Sequence, residues 1–338
     1  MAGVGPMRIL CFHLNQVGDL AFSLPALKCV RDSFSDSHIA SVVRPSMAEV
    51  LESSGLADEV LLRDAGLNLN KLVLLRRLRL GRFDLAVLFS QSAECALLAR
   101  LSGAPRRVGF VDTSLGFLLT SRVEFHHPPS TANNLRLVEA IGCKITCRDY
   151  SGLIKPTAAQ VERARRLLAA NGVDEGRPIA ALSPGTSGRR SVKEWTDEGF
   201  AEVGRYLAKQ GLKPIILGTQ PTDSIVKEYD GILDLGGKTD LGEVVAILAV
   251  SRVLVAVDSG ILHLGAALGT PVVGLYGSSD PNVTGPQGEG HVVLTSQAEC
   301  SPCVKTECSF GRKCMIDLKP EAVISAVERI LEYEASAP

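Results

Sequence analysis

The sequence predicts an α/β protein made of two successive doubly wound parallel sheets, and three observations carry that reading. Short apolar runs without polar alternation, such as residues 253–257 and 272–276, suit strands buried on both faces. These runs alternate with helical stretches along the chain, and parallel strands need crossovers of that kind. The alternation stops near residue 150 and restarts near residue 158, and 338 residues leave room for two domains of ordinary size. The expected division is residues 1–155 and 156–319, with a final helix within 320–338 packing back on the first domain.

In chain order, a strand over 8–13 leads through the loop Leu14-Asn15-Gln16-Val17-Gly18-Asp19 into a helix expected over 20–34. Strand, glycine-containing turn, helix is how nucleotide-type folds begin, but G-x-G-x-x-G is absent, so a dinucleotide fingerprint is unsupported. Asp19 has two readings: the N-cap of that helix, or a carboxylate aimed into a cleft above the sheet. A strand over 38–43, a helix over 47–53 and a strand over 59–63 follow. The next helix lies in the stretch 69–83, where Arg76, Arg77, Arg79 and Arg82 sit beside recurring leucines. Those arginines are either its solvated side or a patch for an anionic, membrane-anchored acceptor.

A buried strand over 83–89 ends in Ser90-Gln91-Ser92, before a helix to about 102 and a strand over 106–110. An amphipathic helix over 131–142 closes the first half. The second half reads as a helix over 158–171, a strand over 179–183, a helix over 196–210 and a strand over 214–217. A short strand at 232–235 precedes a helix ending at 250. The strand at 253–257 stops at Asp258-Ser259-Gly260, and the helix that follows closes at Gly269 with Pro271 just beyond, as helix ends prefer. The strand at 272–276 is cut off by Gly277-Ser278-Ser279-Asp280-Pro281, and a last helix is expected over 320–334.

Composition narrows the function. A net charge of −1 argues against a general nucleic-acid binder. No apolar run reaches the ~18 residues of a membrane span; the closest, 244–257, is broken by Ser251 and Arg252. The opening MAGVGPMRIL lacks the apolar core of a signal peptide, and nine cysteines, an odd number, are expected as reduced thiols. A cytoplasmic protein is expected.

In the second half every strand ends in a polar or glycine-rich loop, and loops at the carboxyl ends of parallel strands share one rim. Ser183-Pro184-Gly185-Thr186 and Ser259-Gly260 offer hydroxyls and backbone amides suited to a diphosphate. Lys193 and Arg189 or Arg190 offer positive charge, and Asp223 is placed to meet ribose hydroxyls. The P-loop pattern G-x-x-x-x-G-K-[ST] is absent, which excludes ATP hydrolysis by that mechanism.

Several stretches together resemble glycosyltransferase family 9, the ADP-heptose:lipopolysaccharide heptosyltransferases. They are VGD with LAFSLPALK near the start, PGT and KEW in the middle, and DSGILHLGAALGTPVVGLYGSSDP near the end. The ending CSPCVKTECSFGRKCMIDLKPEAV is similar to the heptosyltransferase II type, and the resemblance runs from about residue 8 to about residue 331. It implies a GT-B fold, two Rossmann-like domains facing each other across a cleft. The first would bind the acceptor and the second a nucleotide-sugar donor. The implied reaction is inverting, metal-independent transfer of heptose from ADP-L-glycero-D-manno-heptose to the inner core of lipopolysaccharide. No cofactor is expected, and the protein would be peripheral on the cytosolic face of the inner membrane.

Residue by residue, the resemblance implies that Asp19 is the general base and that Lys193 neutralises the donor diphosphate. Asp258, Ser259, Gly260 and His263 match the donor block, with Ser259 where many members have threonine; for His263 a helix-packing role stands beside a donor contact. Asp223 stands near the family's acidic ribose ligand, although GTQPTD departs from the commoner acidic-rich form. Gln91, Asn133, Asn134 and Arg136 are expected contacts of the acceptor, a lipid A–core oligosaccharide whose receiving sugar is either Kdo or a first heptose. Cys300, Cys303, Cys308 and Cys314 form C-x2-C-x4-C-x5-C, read as reduced thiols rather than a metal knuckle, and Trp195 as a lid over the base of its loop. Two other functions remain open: a transferase of this family using another nucleotide sugar, and a catalytically silent nucleotide-sugar binder. The presence of both Asp19 and Lys193 argues against the silent binder.

Overall fold

The computed structural model of the chain describes residues 6–64, 69–126, 130–186 and 191–336. Two compact units divide between Leu153 and Ile154. The first unit opens with β1 (Arg8–His13), α1 (Val17–Ser33), β2 (His38–Val43), α2 (Ala48–Glu52) and β3 (Glu59–Leu62). It continues with α3 (Leu69–Leu80), β4 (Leu85–Leu88), α4 (Ala93–Ser102), β5 (Arg106–Phe110), β6 (Ser121–Val123) and α5 (Ser130–Glu139). All six strands are parallel, in the order β3-β2-β1-β4-β5-β6.

The second unit repeats that plan. It begins with α6 (Ala158–Ala170), β7 (Ile179–Ser183), α7 (Asp197–Lys209), β8 (Lys213–Ile216), α8 (Asp223–Glu228) and β9 (Leu233–Asp234). There follow α9 (Leu241–Ala249), β10 (Ser251–Val257), α10 (Gly260–Leu268), β11 (Val272–Tyr276) and α11 (Pro281–Thr284). The last elements are β12 (Val292–Thr295), α12 (Lys313–Ile316) and α13 (Pro320–Ser336). The sheet is again fully parallel, in the order β12-β11-β10-β7-β8-β9. Both units are therefore six-stranded Rossmann-like sheets, the GT-B fold class.

The central strands form because both of their faces are covered. In β7, β10 and β11 every residue but Arg252 is buried, and Val253, Val255, Val273 and Leu275 pack with Phe200, Leu207 and Val327 in one core. At about 25 cal/mol per Å2 of apolar surface removed from water, a core of this kind dominates the stabilisation. α13 packs on α7, β10 and β11 in the second unit. Trp195, expected as a lid, is a core residue: it is 3% exposed, meets Phe200 edge-on at 5.1 Å, and donates its indole N–H to the Leu318 carbonyl at 2.8 Å. No helix among the described residues is long and apolar enough to cross a membrane.

Each strand order reverses once, between β1 and β4 in the first unit and between β7 and β10 in the second. In open parallel sheets ligands bind outside the carboxyl ends of the strands at such a reversal. The first turn of α1, after β1, carries Asp19 and the loop after β4 carries Gln91; Ser183 ends β7 and Asp258 follows β10.

Candidate active site

In the second unit the reversal point gathers a charged triad. Lys193 lies in a 3-10 turn (Ser191–Lys193) and donates to Asp258 Oδ2 at 2.5 Å. His263, one turn into α10, places Nε2 3.6 Å from Asp258 Oδ1. The three side chains are 12%, 5% and 4% exposed, so this is a buried network rather than a surface pair. Burial alone would raise the Asp258 carboxyl. The His263 imidazole and the Lys193 ammonium overcome that and hold it well below the usual carboxylate range. Thr284 donates a further, longer hydrogen bond to Oδ2 at 3.4 Å. Asp258 is thus committed to positioning Lys193 and His263, and an ammonium has further N–H donors beyond the one Asp258 takes.

The strand ends that carry this triad also carry buried hydroxyls with no hydrogen-bond partner among the described residues. Ser183, Ser259, Ser278 and Ser279 each bury an unbonded Oγ. Ser183 ends β7, Ser259 follows β10, and Ser278 and Ser279 follow β11, the strand next to β10. Buried polar atoms are rarely left unsatisfied, so a group of them along three adjacent strand ends marks a place for a polar ligand. Ser259 is the N-cap residue of α10 yet makes no side-chain cap, which leaves the amides of the first turn open to an anion. A Cβ built on Gly185 would meet nothing within 4 Å, so a ligand can approach that backbone directly. Thr186 donates to Glu194 at 3.4 Å. Arg189 and Arg190 lie outside the described residues.

Asp223 is the first residue of α8 and is exposed. A residue that sequence reasoning missed, Asp234, ties the neighbouring loops together. It accepts from Thr222 N at 2.6 Å and Thr222 Oγ1 at 3.1 Å, and from Gly236 N at 2.7 Å. Its only sequence signal is a lone acid inside a two-residue edge strand.

In the first unit α1 starts three residues earlier than expected, with Gln16 as its N-cap. Asp19 is therefore the third helical residue and not the cap itself. It is exposed, and one oxygen accepts the Gln16 backbone N–H at 3.1 Å while the other carries no bond among the described residues. Across the reversal, Ser90 after β4 is buried, and His13 Nε2 at the end of β1 is buried with no hydrogen-bond partner among the described residues. Gln91 is half-buried in the same loop as Ser90. On α5, Asn134 is buried and donates to the Phe22 carbonyl of α1 at 3.0 Å. Asn133 clamps the backbone of His126 from both sides and accepts from Arg136, which is exposed. Asn133 and Asn134 thus hold α5 in place, and Gln91 and Arg136 are the members of the expected acceptor set with accessible polar groups.

His13 titrates in a usable way. Its ring stacks on Phe89 at 4.8 Å, and Nδ1 lies 2.8 Å from Ser23 Oγ, whose proton goes to the Leu20 carbonyl. Nδ1 must then be the donor, and the ring is neutral with a bare Nε2. Burial lowers its pKa from 6.5 to about 3. The unfolded chain takes up that proton first, so the stability due to a neutral His13 is complete above about pH 6.5 and falls as the pH drops toward 3. In His13→Asn, acid denaturation curves are expected to lose the dependence between those limits, a change of up to about 5 kcal/mol.

The profile of glycosyltransferase family 9 (heptosyltransferase) matches residues 72–314, more than half of the chain. The chain belongs to glycosyltransferase family 9. Lipopolysaccharide heptosyltransferase 2 of Salmonella typhimurium is 24% identical, with 97% of this chain and 99% of that protein covered. The Escherichia coli lipopolysaccharide heptosyltransferase 2 is 25% identical, with 76% of this chain and 78% of that protein covered. Among solved structures, a family 9 glycosyltransferase from Veillonella parvula superposes with a TM-score of 0.82 at 23% identity, covering 98% of each chain. The E. coli ADP-heptose heptosyltransferase II gives 0.80 at 20% identity, covering 98% of this chain and 100% of that one. At these identities the structural likeness speaks for the fold.

The family 9 ending, with its four cysteines, braces the second-unit site. Cys300, Cys303, Cys308 and Cys314 are free thiols that line one small cavity with Val192 and Ser278. From this segment Ser301 Oγ donates to the Gly277 carbonyl and Val304 N to the Ser278 carbonyl, both at 2.7 Å. Gly277 has to be small, since a Cβ there would stand 2.8 Å from Cys314 Sγ. Cys308 Sγ accepts from the N–H groups of Phe310 and Arg312, which hold its thiol below the usual range, while burial pushes Cys314 up. Among the described residues no three His, Cys, Asp or Glu side chains group as metal ligands would.

Arg312 is the member of this segment that reaches Lys193. Its Nη1 donates to the Glu194 carbonyl at 3.2 Å and to the Ser191 carbonyl at 3.5 Å, on either side of the lysine. Arg312→Ala is expected to weaken nucleotide binding about tenfold, the scale of lost charge-assisted hydrogen bonds. Calorimetry checks this; unchanged affinity would separate Lys193 from its brace.

Proposed function

We propose that this family 9 chain transfers heptose from ADP-L-glycero-D-manno-heptose to the inner core of lipopolysaccharide, with inversion and without a metal ion. The observation that carries the proposal is the group of buried hydroxyls, unpaired among the described residues, on the same strand ends of the second sheet as a buried ammonium. The names of the relatives support the sugar and the acceptor class. An E. coli heptosyltransferase with this fold has been solved with ADP and with ADP-2-deoxy-2-fluoro heptose, which supports the nucleotide.

In this reading the donor diphosphate takes the N–H donors of Lys193, the Ser183 and Ser259 hydroxyls and the open amides at Gly260. Gly185 and Thr186 border it, and Asp223 meets the ribose. Asp258 holds Lys193 in place, and His263 offsets the carboxylate. Asp19 takes the proton of the acceptor hydroxyl as that oxygen attacks the anomeric carbon from the face opposite the departing ADP. The new glycosidic bond forms as the bond to the β-phosphate oxygen breaks, which inverts the anomeric centre. Charge growing on the β-phosphate is met by Lys193 and the α10 N-terminus, the roles a divalent cation fills in other transferases. Gln91 and Arg136 contact the acceptor sugar, with Asn134 fixing the helix that bears Arg136.

Calorimetry of ADP, UDP and GDP binding in the presence of a chelator tests the donor half. Preference for ADP is expected. Preference for UDP or GDP would keep the fold and discard the sugar, and loss of binding with the chelator would overturn the metal-free cradle.

A further inference from the structure

The first unit carries an apolar surface that the fold does not use. α3 buries Leu74 and Leu78 in the core, yet Leu69, Leu72, Val73 and Leu80 are 78%, 63%, 56% and 67% exposed. With Arg76 these residues fall at i, i+3, i+4, i+7 and i+11, a single stripe opposite the buried face. α4 packs beside α3 and exposes Leu97 and Leu101 one turn apart. The 3-10 turn Gly116–Leu118 packs on α4 and presents Phe117, 77% exposed. Single exposed leucines are ordinary on protein surfaces, but a run of them across three touching elements is not.

Charge frames this surface with one sign. Glu59 is paired with Arg77, and Glu94 with Arg63 and Lys71. Arg76, Arg79, Arg82 and Arg100 enter no ion pair among the described residues. Arg79 lies over Gly103 at the end of α4, and Arg122 lies beside Gly116 in the turn that bears Phe117, so cations edge the apolar surface at more than one place. A second copy meeting this face about a two-fold axis would set arginines against arginines, which is repulsive. Aliphatic and aromatic side chains ringed by unpaired arginines match the boundary between anionic headgroups and acyl chains.

We propose that the face formed by α3, α4 and Phe117 is a docking surface for an anionic lipid bilayer. Leu72, Leu80 and Phe117 enter the acyl boundary, and Arg76, Arg79 and Arg100 sit on headgroup phosphates. The surface rests on its own residues and needs neither donor nor acceptor, so its test separates from that of the transfer reaction.

The full chain is sedimented with vesicles of phosphatidylglycerol and phosphatidylethanolamine, and with vesicles of phosphatidylcholine alone, without nucleotide or saccharide. Binding to the anionic vesicles is expected, weakening as salt rises. The pair Arg76→Glu and Arg79→Glu is expected to lower partitioning about tenfold or more. Phe117→Asp and Leu72→Asp should lower it without moving the thermal midpoint, since both side chains are exposed. Equal binding to both vesicle types, or to neither, would overturn the proposal. So would light scattering that shows a dimer broken by Leu72→Asp, which would make the face an interface between copies.

Discussion

Asp19→Asn is expected to lower kcat by about 10^2 to 10^4, the usual worth of a general base, while calorimetry finds ADP affinity within twofold of wild type. Asn keeps an oxygen for the Gln16 N–H, so the start of α1 survives. Asp19→Ala should show the same kinetic loss and, in addition, a stability loss of about 1 kcal/mol from the missing cap contact. Unchanged turnover in both variants would remove Asp19 from the chemistry and leave it the capping role alone.

Breaking the Lys193–Asp258 pair is expected to have the largest effect on stability. Lys193→Met leaves a 5%-exposed carboxylate without its ammonium, and Asp258→Asn leaves the 12%-exposed ammonium without its anion. Each is expected to cost about 3 kcal/mol in denaturant unfolding, because an uncompensated buried charge is worse than no charge at all. The double variant should recover part of that stability. ADP affinity should fall in Lys193→Met and stay low in the double variant, which separates the lysine's work on the donor from its work in the fold. Recovery of affinity with stability would assign Lys193 to the fold alone. The acid limb carries the same sign. Asp258 is held low in the folded protein, so its contribution is complete above the ordinary carboxylate range near pH 4 and is lost as pH falls through its folded value. Asp258→Asn should remove that limb and leave the His13 window, which lies at higher pH.

The central strands were legible in the sequence because burial on both faces leaves a continuous apolar run, as in β1, β7 and β11. The edge strands were not. β6 is the three residues Ser-Arg-Val, two of them exposed, and β12 is half-exposed along its length, so neither produces such a run. α8 escaped because six residues bury only Ile225.

Of the candidate site, the loops at the strand ends could be read from their glycines and hydroxyls. The pairing inside it could not, since Lys193 and Asp258 are 65 positions apart and nothing local couples them. Trp195 was misread for the same reason: its partner carbonyl, Leu318, is 123 positions away. Asn134 looked like a sugar contact by residue type, and only its bond to Phe22 across 112 positions gives its place in the fold.

The measurement that bears most directly on the reaction is mass spectrometry of a heptose-deficient lipopolysaccharide core incubated with the protein, ADP-heptose and a chelator. Addition of one heptose per acceptor, with ADP released and the anomeric configuration inverted, is predicted. An intact donor, or transfer only when a divalent metal is supplied, would contradict the account.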